Sequence, residues 1–199
     1  MKKLSLVALI AIFSLTLMQA QTNVKFGITG GLLNSNTDID ISVLGFDVAN
    51  IDAINVTGFN IGAFADIELS EKFHIQPELT YGSAGKLAFV YLPVMMKYYV
   101  ADKINIQAGP QLSFSTDLQE IKDGLKDIDN ILNTNVNLDK AFNSTGVDLV
   151  FGAGYDINDK FFVQARYGLE VTNRYSGPLN NSLSVRANTF TVGVGYSFN

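Results

Sequence analysis

Read in steps of two from Val24 onward, the chain falls into eight segments in which one parity stays apolar while the other is small or polar. The last segment is the cleanest: Phe190, Val192, Val194, Tyr196 and Phe198 share one face, and Thr191, Gly193, Gly195 and Ser197 share the other. Phe161 to Glu170, Val147 to Ile157, Ile104 to Phe114, Phe73 to Tyr81, Gly58 to Leu69 and Val24 to Leu33 obey the same rule. The segment from Leu87 to Val100 fits least well, because Phe89, Tyr91 and Met95 join Pro93 and Lys97 on its second face. Period-two alternation predicts half-buried β-strands with a fixed in and out.

The links between these strands are of two kinds. Three are short and repeat one phrase: Leu69-Ser70-Glu71-Lys72-Phe73-His74-Ile75-Gln76, Val100-Ala101-Asp102-Lys103-Ile104-Asn105-Ile106-Gln107 and Ile157-Asn158-Asp159-Lys160-Phe161-Phe162-Val163-Gln164. Each is an acid-Lys turn leading into an apolar, polar, apolar, Gln strand, which is the sequence of a tight hairpin. The alternate links are longer, spanning Asn34 to Thr57, Ser115 to Ser144 and Thr172 to Ser184, with only Ser83 to Lys86 short. The predicted fold is an all-β, eight-stranded antiparallel up-and-down transmembrane β-barrel, with short turns inside and long connections outside. Closure leaves no strand edge in lipid.

Alternation does not by itself say which face is wet, so a soluble, lipocalin-like ligand-binding barrel is the structural alternative. The polar face decides for the membrane. It is mainly Gly, Ser, Thr, Asn and Gln with scattered charges, whereas a water-facing exterior would be dense in Lys and Glu. Small and amide side chains fit the narrow lumen of an eight-stranded barrel. The apolar face is uncharged on every strand, and Tyr81, Tyr98, Tyr155, Tyr167, Tyr196 and Phe198 lie towards strand ends, where interfacial aromatic girdles sit.

The first twenty residues stand apart. Lys2 and Lys3 precede an apolar and hydroxyl run from Leu4 to Met18, followed by Gln19, Ala20 and Gln21. This is the pattern of a cleaved signal peptide, Met1 to Ala20, ahead of a single barrel domain over 21–199. Export to a Gram-negative outer membrane follows. Removing Lys2 and Lys3 takes the formal charge from −5 to −7, and so acidic a chain is a poor nucleic-acid partner. The absence of cysteine excludes disulfides, an N-terminal lipid anchor on Cys and thiolate metal centres.

Several motifs carry a resemblance: Tyr91-Leu92-Pro93-Val94-Met95-Met96-Lys97-Tyr98-Tyr99, Ala108-Gly109-Pro110-Gln111-Leu112-Ser113, Val147 to Gly154, and the closing Gly193 to Phe198. Over essentially the whole mature chain the sequence resembles the PorT-like outer-membrane β-barrel family. That resemblance implies a small outer-membrane protein, with some members tied to secretion or gliding machinery. It implies no catalytic residues.

Candidate chemistry is sparse. His74 is the only histidine, on the polar parity beside the first turn, and a lone imidazole does not make a nucleophile, base and orienting group. Lys25, Lys97 and Arg166 share the polar parity with Asp66, Glu68, Glu78, Asp148, Asp156 and Glu170; in a narrow lumen these are expected to pair into a salt-bridged plug rather than form an ion path. Leu118, Ile121, Leu125, Ile128 and Leu132 recur at helical spacing and predict a short amphipathic helix in the third outer connection. Asp38, Asp40, Asp47 and Asp52 lack the spacing of a calcium loop and predict a solvated acidic rim. Gly27-Ile28-Thr29-Gly30-Gly31 and Gly152-Ala153-Gly154 lie within strands and open no helix, so they relieve crowding in the lumen or permit curvature rather than cradle phosphate.

The expectation is therefore a non-enzymatic barrel with no catalytic, cofactor or metal residues, presenting outer loops for adhesion or partner binding or serving a structural role in the envelope. A narrow pore or secretion-accessory barrel is the alternative. The expected partners are the lipid bilayer of the outer membrane and a protein engaged through the outer loops, and a monomer is the expected state.

Overall fold

The computed structural model describes residues 23–43, 46–85, 87–117, 143–176 and 183–198. The expected signal peptide and the helix expected over Leu118 to Leu132 lie outside the described residues. Eight strands run in order as β1 (Val24–Val43), β2 (Phe46–Ser70), β3 (Phe73–Ala84), β4 (Leu87–Ala101), β5 (Ile104–Asp117), β6 (Thr145–Asp156), β7 (Phe161–Glu170) and β8 (Leu183–Ser197). Each pairs antiparallel with the next, and β8 closes on β1 from Gly27↔Ser197 to Ile41↔Leu183. The three acid-Lys turns lie at one end with both strand termini, Val24 and Ser197. In the fourth short turn, at the opposite end, Gly85 sits at φ +60°, where a Cβ would be strained.

Side-chain parity follows the sequence pattern. Phe26, Ile28, Leu32, Phe59, Ile61, Met96, Ile106, Phe151 and Val194 all point outward and are exposed, while Thr29, Gln76, Gln107, Asp148 and Arg166 are buried in the lumen. A soluble barrel would invert this arrangement, so the lipocalin-like alternative is excluded by the uncharged, apolar exterior. On β1 that band runs from Val24 to Leu32 and on β8 from Phe190 to Phe198. Eight residue steps of a tilted strand span roughly 20–25 Å along the barrel axis, the height of a transmembrane β-barrel's lipid-facing band. Aromatic pairs mark its lower edge: Phe73 with Tyr98 at 4.8 Å between ring centroids, and Phe161 with Tyr196 at 4.9 Å. Tyr81, Tyr167 and Phe190 lie towards the other edge.

The structure corrects the sequence reading of the first outer connection. Residues 34–43 continue β1 and residues 46–57 belong to β2 rather than to a loop, paired from Asn34↔Thr57 to Val43↔Phe46 with register shifts at Thr37/Asp38 and Ile41/Ser42. The physical reason is a change of medium. Up to Leu32 the outward parity meets lipid and must be apolar; from Asn34 it carries Asn34, Asn36 and Asp38 while the inward Leu33, Ser35 and Thr37 are fully shielded. A test for one continuously apolar face stops where the membrane stops.

β8 follows β1 upward, but β2 pairs with β3 only as far as Gly58↔Ala84. The result is a three-stranded extension, β2-β1-β8, standing above the barrel wall. From Asn34 to Val43, nine steps, it rises about 30 Å along the strand.

Candidate functional site

Among the described residues, the lumen brings charged side chains of several strands into ion pairs. Inward-facing positions at successive levels of neighbouring strands bring together polar side chains both from within one strand, as at Gln76 and Glu78, and from residues as far apart in sequence as Glu78 and Arg166. At the short-turn end, His74 Nδ1 donates to Asp66 Oδ1 at 2.6 Å and Lys97 Nζ donates to Asp66 Oδ2 at 2.7 Å. Lys97 also donates to Gln76 Oε1 at 3.0 Å, and Gln76 Nε2 donates to Glu78 Oε1 at 2.6 Å. Arg166 then crosses the lumen from β7 to β3, donating from Nη2 to Glu78 Oε1 at 2.6 Å and from Nε to Gln107 Oε1 at 2.8 Å. Gln107 Nε2 completes the chain by donating to Asn105 Oδ1 at 2.7 Å. With eight strands, β3 and β7 stand on opposite walls, so the Arg166 to Glu78 pair is a crossbar.

A second cluster lies towards the other mouth. Arg174 follows β7 and folds back inward, donating from Nε to Glu170 Oε1 at 2.5 Å, from Nη1 to Ser115 Oγ at 2.6 Å and from Nη2 to Ser113 Oγ at 2.7 Å. Glu170 Oε2 accepts from the Ala187 backbone amide at 2.6 Å. Asp148 is held by Gln111 Nε2 at 2.6 Å and Ser113 Oγ at 3.3 Å. The Arg174 guanidinium lies 5.6 Å from the Phe89 ring centre, joining this polar cluster to a buried apolar collar that includes Leu33, Leu87, Tyr175 and Val185.

Between the clusters the lumen is reduced to a cavity of about 40 Å³, bordered by Thr80, Tyr91, Gln111, Gln164 and Arg166. Thr80 Oγ1, the Tyr91 hydroxyl and Gln164 Oε1 reach it without a protein hydrogen-bond partner. Such a space is polar and large enough for a few water molecules, each of which needs about 10–15 Å³ of this kind of volume. It is far too small for a hydrated solute. Purified protein in planar bilayers is therefore expected to give no large steady conductance, and reproducible open channels would contradict the plug.

His74 is in the lumen and hydrogen-bonded, as expected, and its partner is the carboxylate of Asp66. Lys97 pairs with Asp66 and Arg166 with Glu78, with both cations at most 7% exposed. Lys25 and Asp156 instead border a vestibule of about 330 Å³ at the short-turn mouth, where Asp156 accepts from the Tyr99 hydroxyl at 2.9 Å. Glu170 takes its cation from Arg174, which had been assigned to an outer connection. The only sequence signal for that pair is the four-residue spacing, which has no meaning in a strand. Phe89, Tyr91 and Met95, the misfits of β4, face the lumen with Lys97 and supply its apolar collar.

Of the glycine runs singled out in the sequence, Gly27, Gly31, Gly152 and Gly154 are crowded and Gly30 is not, and Gly195 on β8, outside those runs, is crowded as well. A Cβ on Gly27 would lie 2.5 Å from Phe64 Cζ, and one on Gly195 would lie 2.0 Å from Phe162 Cζ. These glycines clear the space in which Phe64 and Phe162 meet edge to face, at 5.4 Å between centroids. The acidic rim is described only at Asp38, which accepts from Asn36 Nδ2 at 3.2 Å and Asn188 Nδ2 at 3.1 Å. Among the described residues no group of three His, Cys, Asp or Glu is placed to hold a metal ion.

A closed, apolar-coated, charge-plugged barrel of eight strands is the architecture of a small outer-membrane protein, and a family profile described as "Outer membrane protein beta-barrel domain" matches residues 5–198. The chain belongs to that family. Solved structures similar to this outer-membrane β-barrel include Ail, the attachment invasion locus protein of Yersinia pestis, at 14% identity over 87% of this chain and 98% of that one, with a TM-score of 0.44. Neisserial surface protein A is similar at 12% identity over 88% of this chain and 99% of that one, with a TM-score of 0.48. The outer membrane protein OprG from Pseudomonas aeruginosa is similar at 14% identity over 91% and 99% of the two chains, with a TM-score of 0.42. No curated protein matches the sequence.

Proposed function

We propose that this outer-membrane β-barrel is a non-enzymatic anchor whose protruding β2-β1-β8 sheet engages an extracellular protein by adding a strand to the free edge of β2. The observation that carries this reading is the side of β2 from Phe46 to Thr57 that no other described strand pairs: β3 joins it only at Gly58, so among the described residues a row of backbone groups faces outward above the membrane. Between Asn34 and Thr57 the sequence has Asp38, Asp40, Asp47 and Asp52 and no Lys or Arg, so the complementary partner is an extended segment rich in basic residues. The plugged lumen supports an anchoring role over transport. Export behind a cleaved Met1 to Ala20 leader and membership of the narrower PorT-like group, supported by the motifs quoted above, belong to the same proposal, as does insertion as a monomer.

The test is photocrosslinking on intact cells from positions Asn55 and Thr57. One discrete protein adduct is expected at these positions and not at the lipid-facing Ile61. Its loss on removal of residues 39–54, with the barrel still showing a heat-dependent gel shift, would support edge pairing. No adduct, or an adduct indifferent to that removal, would refute it.

A further inference from the structure

The outer wall of the barrel is not evenly covered. Across β4, β5 and β6 one level reads Met96, Ala108, Phe151, because Met96 pairs with Ala108 and Ala108 with Phe151. A small side chain flanked by two large ones leaves a depression. The next level towards the short turns reads Tyr98 and Ile106, and Tyr98 is paired in turn with Phe73 on β3. Together these residues border a groove of about 500 Å³ on the exterior, with Ala108 as its floor. Met96, Ile106, Phe73 and Phe151 are each about half exposed around it, so the groove lies in the apolar band and opens to the hydrocarbon of the bilayer.

The lower end of this groove meets a second depression of different chemistry. The Tyr99 backbone amide donates to the Lys72 carbonyl at 2.9 Å, which fastens the β2–β3 turn against β4 one residue beyond the Phe73–Tyr98 ring pair. There a pocket of about 220 Å³ is bordered by Glu71, Lys72, Tyr99, Val100, Ala101 and Asp102. Val100 is exposed on the same outward parity as Met96 and Tyr98 and so connects pocket and groove. The pocket offers one ammonium group and two carboxylates at the level where lipid headgroups lie. Two of the three repeated acid-Lys turns supply them.

We infer that the apolar groove floored by Ala108 and the Glu71, Lys72 and Asp102 pocket beneath it form a binding site for one zwitterionic glycerophospholipid of the ethanolamine type, drawn from the periplasmic leaflet. An acyl chain fills the groove, removing apolar wall from a poorly packed contact. The phosphate lies against Lys72, and the primary ammonium donates to Glu71 and Asp102. Charge complementarity selects the headgroup: an anionic glycerol phospholipid would satisfy Lys72 but face two carboxylates with nothing to pair them. The leaflet follows from the short turns facing the periplasm.

Native mass spectrometry of the barrel released from nanodiscs of equal phosphatidylethanolamine and phosphatidylglycerol tests this site. One retained phosphatidylethanolamine per barrel is expected. Ala108→Phe, which fills the groove from the lipid side without touching the lumen, is expected to lower retention about tenfold. Glu71→Lys with Asp102→Lys is expected to shift the retained species to phosphatidylglycerol, with the heat-dependent gel shift of each variant showing that the barrel has folded. The site would be overturned by the absence of any retained lipid, by retention that Ala108→Phe leaves unchanged, or by a dimer that Ala108→Phe dissociates, which would assign the groove to a second copy of the chain. These readouts involve the lower outer wall alone, so they are independent of the β2 edge and of any extracellular partner.

Discussion

Replacing Arg174 by alanine is expected to lower the stability of the barrel by about 3 kcal/mol, the lower end of the cost of breaking a buried ion pair. The side chain is 1% exposed and its partner Glu170 is completely shielded, so the substitution strands a carboxylate inside the lumen. The lower end of the range applies because Glu170 keeps the Ala187 amide, and its Oε1 still accepts from the Thr172 hydroxyl at 3.4 Å. Ser113 and Ser115 lose a donor at the same time. The double variant Arg174→Met with Glu170→Gln removes both charges while roughly keeping volume, and should recover most of the loss. Urea titration of the protein folded into lipid vesicles, read by the heat-dependent gel shift, measures both. An Arg174→Ala midpoint equal to that of the parent would show that the upper cluster does not hold the mouth together.

The second large effect concerns the lower plug, where packing rather than charge dominates. Phe162→Ala empties the space beside Phe64 and beneath Lys97, whose Nζ lies 5.3 Å from the Phe162 ring centre, and is expected to cost about 3–5 kcal/mol. Gly195→Ala attacks the same contact from the other side. Its new methyl would sit 2.0 Å from Phe162 Cζ while the ring has Phe64 against it, so overpacking should cost about 1–3 kcal/mol. The two losses should not add. Once Phe162 is truncated the methyl meets no clash, and the double variant is expected to be no less stable than Phe162→Ala alone. A double-mutant cycle by urea unfolding in vesicles decides the matter: strict additivity would mean that the cost of a side chain at position 195 arises from something other than the Phe162 ring.

These two sites differ in how far they could be read from the chain. Glycines at the inward parity of β1 and β6 were legible as relief of crowding, because a narrow lumen must admit small residues somewhere. That Gly27 and Gly195 in particular make room for Phe64 and Phe162 depends on strand register, which a one-residue slip would abolish. The pairing of lumen charges was legible as a necessity and not as a list of partners. Lys97 could be expected to find a carboxylate; that it finds Asp66 two strands away while Arg166 reaches across to Glu78 is set by the way the sheet closes.

The number of strands, their inward and outward faces and the end at which the tight turns lie are all legible in the chain. Each of those is a local property, carried by period-two alternation and turn chemistry over a few residues. It takes the closed barrel to reveal that Arg174 leaves an outer connection to enter the lumen, that Ala108 floors a groove between Met96 and Phe151, and that β1 and β2 continue past Leu33 and Gly58 into a sheet above the wall. The first two depend on which distant residues the closed register brings to one level. The third was hidden for a different reason: the strand continues while the solvent around it changes from lipid to water, so the face that must be apolar ceases to be the outward one.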